Sequence, residues 1–148
     1  FKGLPHRNET FYYKHGIKFI NDSKATSFDA AQHSLKNNKN IFWIVGGLPK
    51  LNDKFKLQHV KKNIIKSYIV GTNPNFFKRQ IRGVLKYKHS HTIEKALQDI
   101  IKDLFLLKKK QATILLSPAS ASYDQFKNFV ERGNHFKNLT LRYARKIL

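Results

Sequence analysis

The chain has 148 residues, no Cys and no Met, with 29 Lys+Arg against 9 Asp+Glu for a net charge of +20. That length suffices for the core of one ordinary domain. The lack of Cys excludes disulfides and thiolate metal sites, and no apolar run approaches the ~18 residues of a membrane span.

The charge invites a nucleic-acid reading through phosphate neutralisation. Against it, the lysines are spread along the whole chain, often beside Asn as in Lys36-Asn37-Asn38-Lys39-Asn40. No zinc finger, RNP motif or clear helix-turn-helix accompanies them. No signal-peptide pattern is found, so a reducing, cytoplasmic setting is expected. The opening, Phe1-Lys2-Gly3, reads as the start of a fragment of a longer protein.

In chain order, Phe1 to Arg7 reads as irregular, with Gly3 and Pro5 as breakers. Thr10-Phe11-Tyr12-Tyr13-Lys14 and Ile17-Lys18-Phe19-Ile20 flank His15-Gly16, which predicts two strands joined by a tight turn. Asn21-Asp22-Ser23-Lys24-Ala25-Thr26 then forms a strand-to-helix turn holding an acid, a base and two hydroxyls. Thr26 with Asp29 matches a capping box, and a helix is predicted over Phe28 to Leu35. Its first turn would offer N–H groups and a positive dipole end to a phosphate or carboxylate.

Ile41-Phe42-Trp43-Ile44-Val45 is a continuous apolar run, typical of a strand buried on both faces. It ends in Gly46-Gly47-Leu48-Pro49-Lys50. A helix is expected somewhere between Phe55 and Ile64, and a short strand at Ser67-Tyr68-Ile69-Val70. Asn73-Pro74 starts another helix, with Phe77 and Ile81 four apart. Val84-Leu85-Lys86-Tyr87 is an edge-strand candidate, and His89-Ser90-His91 reads as a loop.

Thr92 is a candidate N-cap for an amphipathic helix with a stripe of Ile93, Ala96, Leu97, Ile100, Ile101 and Leu104. Ala112-Thr113-Ile114-Leu115-Leu116 is the last buried strand. Asp124 to Leu148 is mostly helical, with a break expected near Gly133. Alternating strands and helices from Ile17 onward predict an α/β fold, with a mainly parallel sheet covered on both faces. Without repeats or linkers, residues 1–148 read as a single domain.

Three loops follow predicted strands and would converge on one rim: Asn21–Thr26, Gly46–Lys50, and Ser117-Pro118-Ala119-Ser120-Ala121-Ser122-Tyr123-Asp124-Gln125-Phe126. In open α/β sheets ligands bind at such carboxyl ends. The converging Lys24, Lys50, Ser23, Thr26 and Ser122 suit a ligand bearing carboxylates or phosphates. Gly47-Leu48-Pro49-Lys50 is not a Walker A loop, there is no GxGxxG, and no GxSxG elbow supports a hydrolase.

Gly3-Leu4-Pro5-His6-Arg7, Asn21–Thr26, Gly46-Gly47, Ser117–Phe126, Phe129, Arg132-Gly133 and Phe136 occur in this order. Together they resemble the C-terminal part of the Mur ligase family, most closely its D-glutamate-adding branch, over essentially the whole chain. The resemblance implies a Rossmann-like three-layer domain with an antiparallel N-terminal hairpin at the sheet's edge. The N-terminal and central ATPase domains would be absent from it.

It further implies an ATP- and Mg²⁺-dependent ligase of bacterial peptidoglycan synthesis. Such an enzyme joins D-glutamate to UDP-N-acetylmuramoyl-L-alanine through an acyl phosphate, with the metal ligands in the central domain. By the same resemblance Arg7 would approach the ATP phosphates and Asp22 the ribose. Arg7 and Lys24 would serve catalysis. Lys24, Thr26 and Lys50 would face the D-glutamate or product carboxylates. Ser122 and the backbone around Tyr123 and Phe129 would hold its side-chain carboxylate. Leu48-Pro49, Ser27 and Ser120 depart from the family's common Asp-Gly, Asn and Cys. The alternatives are a basic nucleic-acid-binding α/β domain, or a related ligase domain for another amino acid. No membrane partner is expected.

Overall fold

The computed structural model describes residues 4–147. Phe1, Lys2 and Gly3, the last of which opens the first motif, lie outside the described residues, as does Leu148. The strands β1 (Glu9–Lys14), β2 (Ile17–Asn21), β3 (Ile41–Val45), β4 (Ile64–Val70), β5 (Tyr87–His91) and β6 (Ala112–Leu116) form one sheet ordered β1-β2-β6-β3-β4-β5. Four helices join them: α1 (Phe28–Lys36), α2 (Pro74–Ile81), α3 (Ile93–Leu106) and α4 (Phe129–Ile147). Only the β1–β2 pair is antiparallel among the strand pairings described. It turns at His15 and Gly16, both at positive φ, as a two-residue hairpin matching the strands' twist requires.

Side chains alternate across the central strands. Ile41, Trp43 and Val45 of β3 face the core shared with Phe28, Ala31 and Leu35 of α1 and Phe76, Phe77 and Ile81 of α2. Phe42 and Ile44 face the opposite core, with Ile93, Leu97 and Ile100 of α3 and Phe136 of α4. Two faces of one buried strand thus need two helical layers, which is why β3 reads as an unbroken apolar run.

Where the structure differs from the sequence expectations, a tertiary contact is responsible. No α-helix forms between Phe55 and Ile64, which hold irregular chain, a turn at 58–60 and a 3₁₀ turn, Lys61–Asn63. Phe55 leaves the helical pattern to stack on Phe28 at 4.8 Å, and its N–H donates to Gln80 Oε1. The edge strand is Tyr87–His91, so His89-Ser90-His91 is strand rather than loop. Val84 and Leu85 instead close the end of α2, both donating to the Ile81 carbonyl.

α4 begins at Phe129 rather than Asp124 and runs without a break through Gly133. A Cβ on Gly133 would lie 2.2 Å from His6 Nδ1, so this glycine makes room for the buried His6. The α1 cap is Ser27, whose Oγ accepts from Ala30 N, rather than the expected pair of Thr26 and Asp29. Thr92 caps α3 as expected, accepting from Lys95 N.

Candidate functional site

The register sets Asn21 of β2 beside Leu116 of β6, and Ile44 of β3 beside Leu116. The loops leaving these three strands therefore share one rim. The connections after β2 and β3 turn toward the α1–α2 face, while the chain after β6 runs to α4 on the other. That divergence opens space at the carboxyl ends of the strands, as at the switch points of other open α/β sheets.

The β2–α1 turn is fixed from several sides. Asp22 N donates to the Leu116 carbonyl at 2.7 Å, and Ser23 N donates to Asn21 Oδ1. The Asp22 carboxylate, 3% exposed, accepts from Asn8 N at 2.9 Å and from Ser117 Oγ at 2.7 Å. Burial raises its pKa above the ordinary value, and the bonds from Ser117 and Asn8 oppose that rise. Two of its roughly four lone-pair sites are thus used internally.

Asn21 Nδ2 reaches both His6 Nδ1 and Glu9 Oε1, tying the segment that bears Arg7 to the end of β2. The His6 carbonyl accepts from Lys24 N at 2.8 Å, so Arg7 and Lys24 are held on adjoining backbone. Both side chains are exposed, and with Asp22, Ala25, Asp29, Ala30 and His33 they line a cleft of about 440 Å³. Lys24 Nζ also stands 6.0 Å from the centre of the Phe129 ring, a cation–π distance.

The other two loops are stitched together. Leu48 and Ala121 exchange backbone hydrogen bonds of 2.8 and 2.9 Å, and Gly46 N donates to the Pro118 carbonyl. Leu48-Pro49 is therefore compatible with a fixed loop, from which Lys50 projects into solvent. Gly46 and Gly47 adopt φ of 134° and 145°; a Cβ on Gly46 would lie 2.0 Å from the Val70 carbonyl oxygen. Asp124 reaches across to the turn that follows β4, accepting from Thr72 N at 3.1 Å.

Ser122 is 2% exposed, yet its turn is closed by its carbonyl, which accepts from Gln125 N and Phe126 N. Its hydroxyl is not a helix cap; Asn128 Oδ1 serves α4 instead, accepting from Glu131 N. Tyr123 is exposed. The cleft of Arg7, Asp22 and Lys24 does not extend to Thr26, Lys50, Ser122, Tyr123 or Phe129. The structure thus groups the first three and sets the others on neighbouring loops of the same rim.

One expected feature is already used. The first N–H of α1, on Phe28, donates to Asp53 Oδ2 at 2.9 Å, so a carboxylate of the chain occupies the place an anionic ligand would take. Nothing in the sequence around Asp53 signals this. Arg132 was visible only as part of a motif; its guanidinium donates to Ser23 Oγ and to the Ser23 carbonyl at 2.9 and 2.7 Å.

A larger cavity of about 920 Å³ opens at the other end of the strands, between Ile64, Tyr87 and Leu106. Lysines and aliphatic side chains make up most of its wall, which also holds Tyr87 and the Lys66–Asp103 ion pair of 2.9 Å. Among the described residues, no three His, Asp or Glu side chains come together as a metal site, and no helix is long and apolar enough to cross a membrane.

No protein-family model matches the chain. Among curated proteins it is similar to UDP-N-acetylmuramoylalanine–D-glutamate ligases. It is 39% identical to that of Nitrobacter winogradskyi over 139 residues, 94% of this chain. It is 40% identical to that of Phenylobacterium zucineum and 37% to that of Rhodospirillum rubrum, each over 97% of the chain. The chain spans about 30% of the length of these relatives.

Among solved structures it resembles a bifunctional folylpolyglutamate synthase/dihydrofolate synthase from Yersinia pestis, complexed with AMPPNP and Mn ion. The TM-score is 0.56 at 14% identity, over 93% of this chain and 32% of that one, a likeness of fold alone. The sequence similarity thus runs through the loops that build the rim and covers nearly all of this chain, against about 30% of the length of the UDP-N-acetylmuramoylalanine–D-glutamate ligases.

Proposed function

We propose that this chain is the C-terminal, amino-acid-binding domain of an ATP-dependent ligase that joins D-glutamate to UDP-N-acetylmuramoyl-L-alanine in cytoplasmic peptidoglycan synthesis. The observation that carries this reading is the pairing of Arg7 and Lys24 over one cleft, held by buried bonds through His6, Asn21 and Asp22. Two cations on firmly held backbone beside a buried acid suit a reaction in which anionic groups must be brought together.

In this reading ATP supplies the activation, converting the terminal carboxylate of the nucleotide substrate to an acyl phosphate. Arg7 binds the phosphates and stabilises charge on the transferring phosphoryl group. Asp22 keeps lone pairs for a ribose hydroxyl. Lys24, Thr26 and Lys50 orient the amino acid's carboxylates, and Ser122 with the backbone near Tyr123 and Phe129 holds the side-chain carboxylate. The described residues do not fit a Mg²⁺ or other divalent site, so no step of the metal is assigned to this chain. The remaining domains of the ligase are its partners, with ATP held between them and this rim.

The nucleic-acid alternative gains no support, because the curated relatives similar to this chain are ligases. The test is an assay of the complete ligase and of the 148-residue chain, with ATP, UDP-N-acetylmuramoyl-L-alanine and D-glutamate. D-glutamate-dependent phosphate release is expected from the first and not from the second. Release by the isolated chain, or none by the complete protein with any amount of D-glutamate, overturns the reading.

A further inference from the structure

Arg132 is a buried cation without a counter-ion. It projects from the first turn of α4 beneath the rim and is 2% exposed. Two of its nitrogens are satisfied by Ser23, the residue before Lys24. The third, Nη1, is buried and has no hydrogen-bond partner. A Cβ on Gly47 would lie 3.3 Å from it, so Gly47 covers this nitrogen, beside Ser120 and Ala121.

Among the described residues no carboxylate lies within ion-pair distance of Arg132. Asp124 is the acid that most favours its charge, yet that carboxylate is bonded to Thr72. Burial lowers the guanidinium to a pKa of about 10, still well above neutrality, so the charge persists in use. An unpaired buried charge is costly, and a functional role is one reason for a native protein to keep it.

The position says which partner. Ser23–Lys24 lies on one side of the guanidinium, and the Gly47 loop, which leads to Lys50, lies on another. Ser120 and Ala121 meet the same Gly47, so Arg132 lies beside parts of all three loops of the rim. We propose that Arg132 is a specificity-determining residue: acting across the Gly47 loop that covers it, its uncompensated charge favours the side-chain carboxylate of the amino-acid substrate over a neutral group. This rests on the proposed function and deepens it, naming what separates an acidic amino acid from its neutral isostere.

The interaction acts through the low-dielectric floor of the rim, where water screens little. A neutral amide in the same place would leave Arg132 uncompensated. The fork on Ser23 is a separate, positioning duty.

The test uses the complete ligase, with KM for D-glutamate and the Ki of D-glutamine as a competitor of D-glutamate. Arg132→Met removes the charge and fills the space. It should raise the D-glutamate KM about tenfold, as the loss of one charge–charge attraction across a low-dielectric floor, with the D-glutamine Ki little changed. Arg132→Lys keeps a charge but cannot fork onto Ser23. It should lower kcat while keeping most of the preference for D-glutamate, and it serves as the test if the Met variant does not fold.

A parallel loss for both ligands in either variant would make Arg132 a clamp on Ser23 only and overturn the proposal. Unaltered constants in Arg132→Met would also overturn it. If the unsubstituted ligase does not use D-glutamate, the functional reading itself has failed, which is a distinguishable result.

Discussion

Gly133→Ala is a substitution whose sign the fold reverses. In an exposed helix interior, alanine is favoured over glycine by about 1 kcal/mol, so helix propensity alone predicts stabilisation. Gly133 lies inside the continuous helix α4, yet its missing Cβ is the space His6 fills. An added Cβ would stand 2.2 Å from His6 Nδ1, 2.8 Å from its Cε1 and 2.9 Å from Asn21 Nδ2. Real Cβ atoms do not approach so closely, so His6 must move and its bond with Asn21 breaks.

Overpacking of this kind costs about 1–3 kcal/mol, and the lost hydrogen bond adds about 0.5–1.5 kcal/mol. Set against the helical gain, the net is a destabilisation of about 1–3 kcal/mol. For a domain of this size that is a fall of roughly 3–10 °C in Tm. Because the His6 carbonyl also holds Lys24 N, and Arg7 is the next residue, kcat should fall with it.

The assay is thermal unfolding with steady-state kinetics for Gly133→Ala and for Gly133→Ala combined with His6→Ala. The double variant should recover part of the Tm, since the second change removes the clash. A higher Tm in the single variant would refute the packing argument outright.

Arg7→Ala should lower kcat by a factor on the order of 10² or more, because a charge acting on the transferring phosphoryl group is lost; a raised KM for D-glutamate with intact kcat would put Arg7 in the other subsite. Ser122→Ala should reduce kcat/KM for D-glutamate about ten- to a hundredfold. Its Tm should be nearly unchanged, since the hydroxyl caps no helix; a lower Tm with intact kinetics would make Ser122 structural.

His6 gives a pH signature. Burial lowers its folded pKa below the ordinary 6.5, so between those two values the unfolded chain binds more protons than the folded one. Stability is therefore full above the unfolded pKa and declines as pH falls toward the folded one. A pH series of melts should show that slope and its loss in His6→Phe; a slope unaffected by the substitution would assign it to other groups.

What the sequence determined by itself is what local pattern can encode. The runs Ile41–Val45 and Ala112–Leu116 are apolar on both faces, which demands two covering layers whatever else the chain does. The α3 stripe and its Thr92 cap are likewise local, and so is the hairpin at His15-Gly16. With the parallel alternation, these suffice to bring the Asn21–Thr26, Gly46–Lys50 and Ser117–Phe126 loops to one rim.

Only the tertiary structure decided how that rim is held. Ser23 and Arg132 are 109 positions apart, and no periodicity relates them. Gly133 looks like a helix break until His6 is packed against it, and the first N–H of α1 looks free until Asp53 arrives from a distant loop. The residues from Phe55 to Val60 give up helical geometry for the same reason: stacking Phe55 on Phe28 and burying Leu57 and Val60 outweigh a marginal local preference. Periodicity reports how a segment meets water and core. The partner that takes each last hydrogen bond or fills each last gap depends on distant chain, and is settled only when the layers close.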